Sequence, residues 1–106
     1  MNNDKKIEKV ELGWEESVVM VCTKCGKQFE DDLRDSPDRI KSELKAKAKS
    51  ELGKKVRVIT TSCLNICPDN KIAVVKASNK EPSVFEAYAV DPNSSGDELF
   101  AKILKN

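Results

Sequence analysis

Apolar residues follow two rhythms along the chain. The run SVVMVC at Ser17–Cys22 is short, continuous and rich in β-branched residues, and VRVITT at Val56–Thr61 is of the same kind. Both predict strands, the first of them covered on both faces. Between them Ile40, Leu44, Ala48 and Leu52 recur every four residues among lysines and glutamates. That spacing predicts a helix over roughly 37–52 with one apolar stripe. Ser36 is placed to cap it, Pro37 suits its first position and Asp38 its positive first turn. Gly53 is placed to end it in a left-handed cap. Two further β-rich runs, 72–75 and 84–90, flank the turn-forming segment ASNKEPS and predict an antiparallel hairpin. The last segment, SSGDELFAKILKN, carries a capping box in Ser95 and Glu98. Leu99, Phe100, Ile103 and Leu104 share one face of the helix that follows.

The order is thus strand, helix, strand, strand, strand, helix. A helical crossover makes the first two strands parallel, and the hairpin adds antiparallel strands on the other side. This predicts an α/β domain of thioredoxin-like kind, a four-stranded mixed sheet covered by two main helices, over residues 17–106. Residues 1–16 are polar and weakly patterned. They read as a flexible arm or an edge strand using Ile7, Val10 and Leu12, with Trp14 anchoring the segment to the body. Lys41, Lys45, Lys47 and Lys49 read as the solvated face of the long helix.

Composition narrows the function classes. The chain has 106 residues, 39% of them hydrophobic and 35% charged, enough for one modest core. With 19 basic and 18 acidic residues the formal net charge is +1, which argues against nucleic acid as the main partner. No apolar run approaches the roughly 20 residues of a membrane span. The first residues offer no apolar signal region, so the expected location is the cytoplasm, where thiols stay reduced. There is no histidine, which removes the usual triads and zinc hydrolase sites, and no glycine-rich phosphate loop. Glu15, Glu16, Glu30, Asp31 and Asp32 read as solvated surface.

Four cysteines remain to be explained. Cys22 and Cys25 form a C-x2-C pair, then 37 residues intervene, and Cys63 and Cys67 form a C-x3-C pair followed by Pro68. Each pair follows a predicted strand. If the two strands are parallel neighbours, both pairs emerge at the carboxyl end of the sheet, where open α/β sheets bind ligands. Four thiolates suit zinc or an iron–sulfur cluster, and the chemistry of the donors alone leaves both open.

The stretch VRVITTSCLNICP at 56–68, followed by a hairpin and an Asp-Pro turn into a last helix, resembles the thioredoxin-like 2Fe–2S ferredoxins. That family includes the iron–sulfur peripheral subunit of NADH dehydrogenases. The resemblance covers 17–106. It implies a protein that carries single electrons on a 2Fe–2S cluster held by Cys22, Cys25, Cys63 and Cys67. Redox partner proteins are then the expected partners, with a homodimer allowed. Lys24 and Lys27 read first as ordinary surface charge; beside a cluster they would also soften its negative charge. The first pair is tighter than is usual in the family. The glycines common around the second pair are replaced, with Asn65 and Pro68-Asp69-Asn70 in that stretch. Two other classes stay open: a zinc-binding structural or interaction module, and a dithiol oxidoreductase using Cys22-Thr23-Lys24-Cys25.

Overall fold

The run Ser17–Cys22 forms β1, a central strand whose neighbours lie on both edges. The computed structural model of the chain describes residues 7–11, 13–66, 68–79 and 84–104, the side chains of Asp32 and Val84 excepted. After β1 come two 3-10 turns, Lys24–Gln28 and Asp31–Asp35, and then helix α1 over Ser36–Leu52. A further 3-10 turn at Gly53–Lys55 leads into β2, Val56–Thr61. Strands β3 (Ile72–Ser78) and β4 (Val84–Val90) follow, and the chain closes with α2 at Gly96–Leu99, which continues as π-helix over Phe100–Leu104.

The sheet order is β2-β1-β3-β4. β1 and β2 run parallel from Ser17 opposite Val56 to Cys22 opposite Thr61, while β1–β3 and β3–β4 are antiparallel. This is the four-stranded mixed sheet with two helices that the element order predicts. Val19, Val21, Val56, Val58, Ile72, Val74 and Val90 meet Ile40, Leu44 and Ala48 of α1, and Leu99, Phe100 and Ile103 at the C-terminal end, in one core. Ile40 and Leu44 are wholly buried, each worth about 1.5–3 kcal/mol of apolar transfer. Leu52 and Leu104 pack at the core's edge.

β1 is covered on both faces, as expected, but the helices cover only one of them. Residues paired across strands share a face, so Val18, Met20, Ile59, Val75 and Phe85 point away from Val19 and its neighbours. Val18 is buried but lies outside the core, Ile59 is 38% exposed and Phe85 is 78% exposed. The helices pack on the other side, where Lys76 Nζ donates to the Ile103 carbonyl at 3.0 Å. A continuous apolar run reports that a strand is apolar on both faces, not what covers each of them.

Helix starts and ends also differ in detail. Asp35, not Ser36, is the residue before α1, and it makes no side-chain cap. The preceding 3-10 turn winds straight into the helix, and the Ser36 N–H donates to the Leu33 carbonyl. Ser36 is therefore drawn inside, its hydroxyl buried without a hydrogen-bond partner among the described residues. Gly53 takes the expected positive φ of 60°, but its ψ of −126° turns the chain into the short 3-10 segment rather than a left-handed cap. The capping box forms as predicted, with Glu98 N–H donating to Ser95 Oγ and Ser95 N–H to Glu98 Oε1.

β3 runs three residues past its predicted end, to Ser78, because it is laddered to a neighbour on both sides. Residues 80–83 of the predicted turn lie outside the described residues, as does Leu12. Ile7 and Val10 are exposed, and no strand forms over residues 7–11 or 13–16. Trp14 is half-buried. Beside it the Glu15 and Glu16 N–H groups donate to the Lys54 and Lys55 carbonyls, at the end of the sheet remote from Cys22. Among the described residues no helix is long and apolar enough to cross a membrane.

Candidate metal centre

The parallel pairing of β1 and β2 delivers both cysteine loops to one end of the sheet. Cys22 is the last residue of β1, opposite Thr61, and Cys63 lies two residues beyond Thr61. The pairing carries on past the strands. Thr23 N–H and Thr23 Oγ1 both donate to the Thr61 carbonyl, at 2.8 and 3.0 Å, and Lys24 N–H donates to the Ser62 carbonyl at 3.2 Å. The first turn is thereby laid beside the start of the second loop.

From Lys24 the chain tightens into the 3-10 turn, with Gly26 N–H donating to the Thr23 carbonyl. That turn faces Cys25 inward. A side chain at Gly26 would collide with the Arg34 carbonyl and Pro37, so the close seat of this turn on the start of α1 requires glycine. Cys22 and Cys25 are buried and Cys63 is exposed. Cys22, Cys25 and Cys63 line one cavity of about 230 Å³ together with Lys24, Gln28, Pro68 and Asp69. Lys24 brings positive charge to its wall and Asp69 negative charge. A larger groove of about 610 Å³ lies between β4 and the C-terminal helix, and among the described residues no thiol lines it.

Two of these three sulfurs accept a backbone N–H, while Cys22 Sγ lies 3.8 Å from the Ser62 carbonyl, toward which it donates. Ala73 N–H donates to Cys25 Sγ at 3.4 Å and Asn65 N–H to Cys63 Sγ at 3.3 Å. For Cys22, burial opposes ionisation and is the largest single influence. Hydrogen bonds from the Cys25 side chain and from the N–H groups of Leu64, Cys25 and Lys24 together outweigh it, holding the thiol below its ordinary value. Donors of this kind stabilise thiolate, the form that binds soft metals. The donor set therefore fits a thiolate-bound metal.

Cys67 lies outside the described residues. Among the described residues no group of three or more histidine, cysteine, aspartate or glutamate side chains is gathered tightly enough to ligate one ion. Cys22, Cys25 and Cys63 thus share a cavity without being drawn to a single point. Lys27 is exposed and does not appear on the cavity wall.

Two features of the second loop carry a sequence signal that is easy to pass over. Asn65 and Asn70 take positive φ angles of 62° and 58°. Asparagine is the residue that tolerates this conformation best after glycine, so the two asparagines do in this loop what glycines would do. Gln28 is the other residue the sequence does not disclose. Its carboxamide donates to the carbonyls of Cys25, Lys71 and Pro68, and accepts from Asn70 N–H. The chain matches no protein-family model, and comparison with curated proteins and with solved structures gives no significant match.

Proposed function

We propose that the protein is a cytoplasmic one-electron carrier that holds a 2Fe–2S cluster on Cys22, Cys25, Cys63 and Cys67 and docks briefly with redox partner proteins. One observation carries this reading: the ends of two neighbouring parallel strands bring Cys22, Cys25 and Cys63 to one open cavity, where Cys25 and Cys63 each accept a backbone N–H. Cys67 would complete the set from the loop that carries Cys63. When bound, such a cluster supplies a centre that takes up and gives back one electron without making a bond to substrate.

The chain's own residues set the conditions. N–H groups on sulfur favour the more negative, reduced state and so raise the potential. Lys24 adds a cation at the cavity wall, partly offset by Asp69. Buried Cys22 and Cys25 keep one side of the site dry, while exposed Cys63 leaves the other side within reach of a partner.

The rival dithiol mechanism asks for an exposed attacking sulfur at the start of an α-helix. Here both Cys22 and Cys25 are buried and the turn after them is 3-10, with α1 beginning only at Ser36. Zinc would use the same sulfurs as the cluster, so metal identity decides between carrier and structural module. Anaerobic reconstitution with iron and sulfide is expected to give a brown protein with about two irons per chain, as a 2Fe–2S site requires. Stoichiometric, colourless zinc with no uptake of iron overturns the electron-carrier reading.

A further inference from the structure

Among the described residues the loop between β2 and β3 has no ladder partner, yet it carries half of the sulfurs. Its entry is tied by Lys24 N–H on the Ser62 carbonyl. Among the described residues its exit is tied by one side chain, Gln28. Gln28 Nε2 lies 2.8 Å from the Lys71 carbonyl, 3.0 Å from the Cys25 carbonyl and 3.4 Å from the Pro68 carbonyl, while Gln28 Oε1 lies 2.8 Å from Asn70 N. A primary amide has two donor hydrogens and one acceptor oxygen. The two shorter carbonyl contacts and the Asn70 contact use all of them, with Pro68 as an outer partner.

These bonds join segments about 40 residues apart in sequence, and they do so at the cavity wall, where Gln28 stands beside Cys22, Cys25 and Cys63. Gln28 is exposed and contributes nothing to the apolar core. A side chain that saturates itself on two loop backbones while adding no burial sets geometry rather than stability.

We propose that Gln28 is the positioning residue of the sulfur site, holding the loop after Cys63, at Pro68, Asn70 and Lys71, in register with the Cys22–Cys25 turn before any metal arrives. The two loops are then set side by side by protein hydrogen bonds, and a metal has only to draw the sulfurs over the remaining distance, unlike a zinc finger, which folds only with its ion. The metal-affinity part of this proposal rests on the reading of the cavity as a metal centre. The loop-registry part does not.

The two parts are tested on the full chain with Gln28→Ala and the shape-matched Gln28→Met, neither of which can hydrogen-bond as an amide does. In metal-free protein, amide hydrogen exchange at Asn70 should accelerate about tenfold in both variants, the loss of one hydrogen bond. The thermal midpoint should barely move, since the side chain is exposed. Zinc(II) affinity, measured by chelator competition, should fall about 10–100-fold in both variants, the usual cost of losing an outer-shell support. Unchanged Asn70 exchange overturns the registry. Faster exchange with unchanged zinc affinity overturns the positioning role, and so does recovery of affinity in Gln28→Met, which would make shape the cause. A wild-type chain that binds neither zinc(II) nor cobalt(II) nor a cluster sinks the metal reading instead, and the exchange data still decide whether Gln28 fastens the loops.

Discussion

Ser36 sits in the first turn of α1 with its hydroxyl sealed from water and unpaired among the described residues. A buried, unmatched hydroxyl is a cost, and the helix gains no cap from it. Ser36→Ala is therefore expected to leave stability unchanged or raise it by up to about 1 kcal/mol, read as the denaturant midpoint. A loss of that size would show that the hydroxyl has a partner after all. Cys25 makes the opposite case. Its sulfur is buried and accepts the Ala73 N–H from β3, so it is held by the sheet as well as by its own turn. Cys25→Ser should abolish or shift the visible absorption of the reconstituted protein, and an unaltered spectrum would remove Cys25 from the ligand set. The spacing of the cysteines was legible in the sequence. The amide donors that face them were not, because a backbone N–H has no letter of its own.

Between elements, the junction of α1 with α2 is a second point of close approach, besides that at Gly26. A side chain at Gly96 would lie 2.6 Å from Glu43 Cβ and 2.7 Å from its backbone carbon. Gly96→Ala must then push the C-terminal helix away from α1, at a cost of about 1–3 kcal/mol in a denaturation experiment. Glu43 fastens the same junction: its carboxylate accepts the Gly96 N–H at 2.8 Å and pairs with Arg39 at 3.0 Å. Those two interactions, the Gly96 N–H first, hold its carboxyl below the ordinary range against a small opposing effect of burial. With the folded value depressed, the contribution is complete above the unfolded value of about 4.3 and is lost as pH falls through the folded one. Glu43→Gln should flatten the acid limb of the stability profile below about pH 4.5, and a limb unchanged from wild type would put the acid sensitivity elsewhere. Arg39 also donates to the Pro92 and Ser94 carbonyls, so the charged face of α1 is not wholly solvent, as its lysines alone suggest.

At the scale of the molecule, the succession and directions of the strands were readable because each apolar run is bounded by turn residues and one crossover is plainly helical. Which face of the sheet the helices take was not readable. Val18 and Met20 look no different from Val19 and Val21 in sequence, yet only the latter pair enters the core. Gln28 was hidden for a similar reason, since an amide that binds carbonyls leaves no spacing to detect. The parallel pair does give the molecule two distinct ends, thiols at one and Trp14 at the other, and Trp14 is the chain's single tryptophan. The six residues of β1 lie between them, a separation of about 17 Å or more at ~3.3 Å per residue. That is far enough to rule out contact quenching and near enough for resonance energy transfer to a chromophore that absorbs where indole emits. Trp14 thus gives an optical test of what the thiol end binds. Loading with an iron–sulfur cluster should dim Trp14 emission and shorten its lifetime, while colourless zinc should leave both as they are in the metal-free chain. Equal lifetimes in iron-loaded and zinc-loaded protein would mean that no absorbing centre sits at the thiol end.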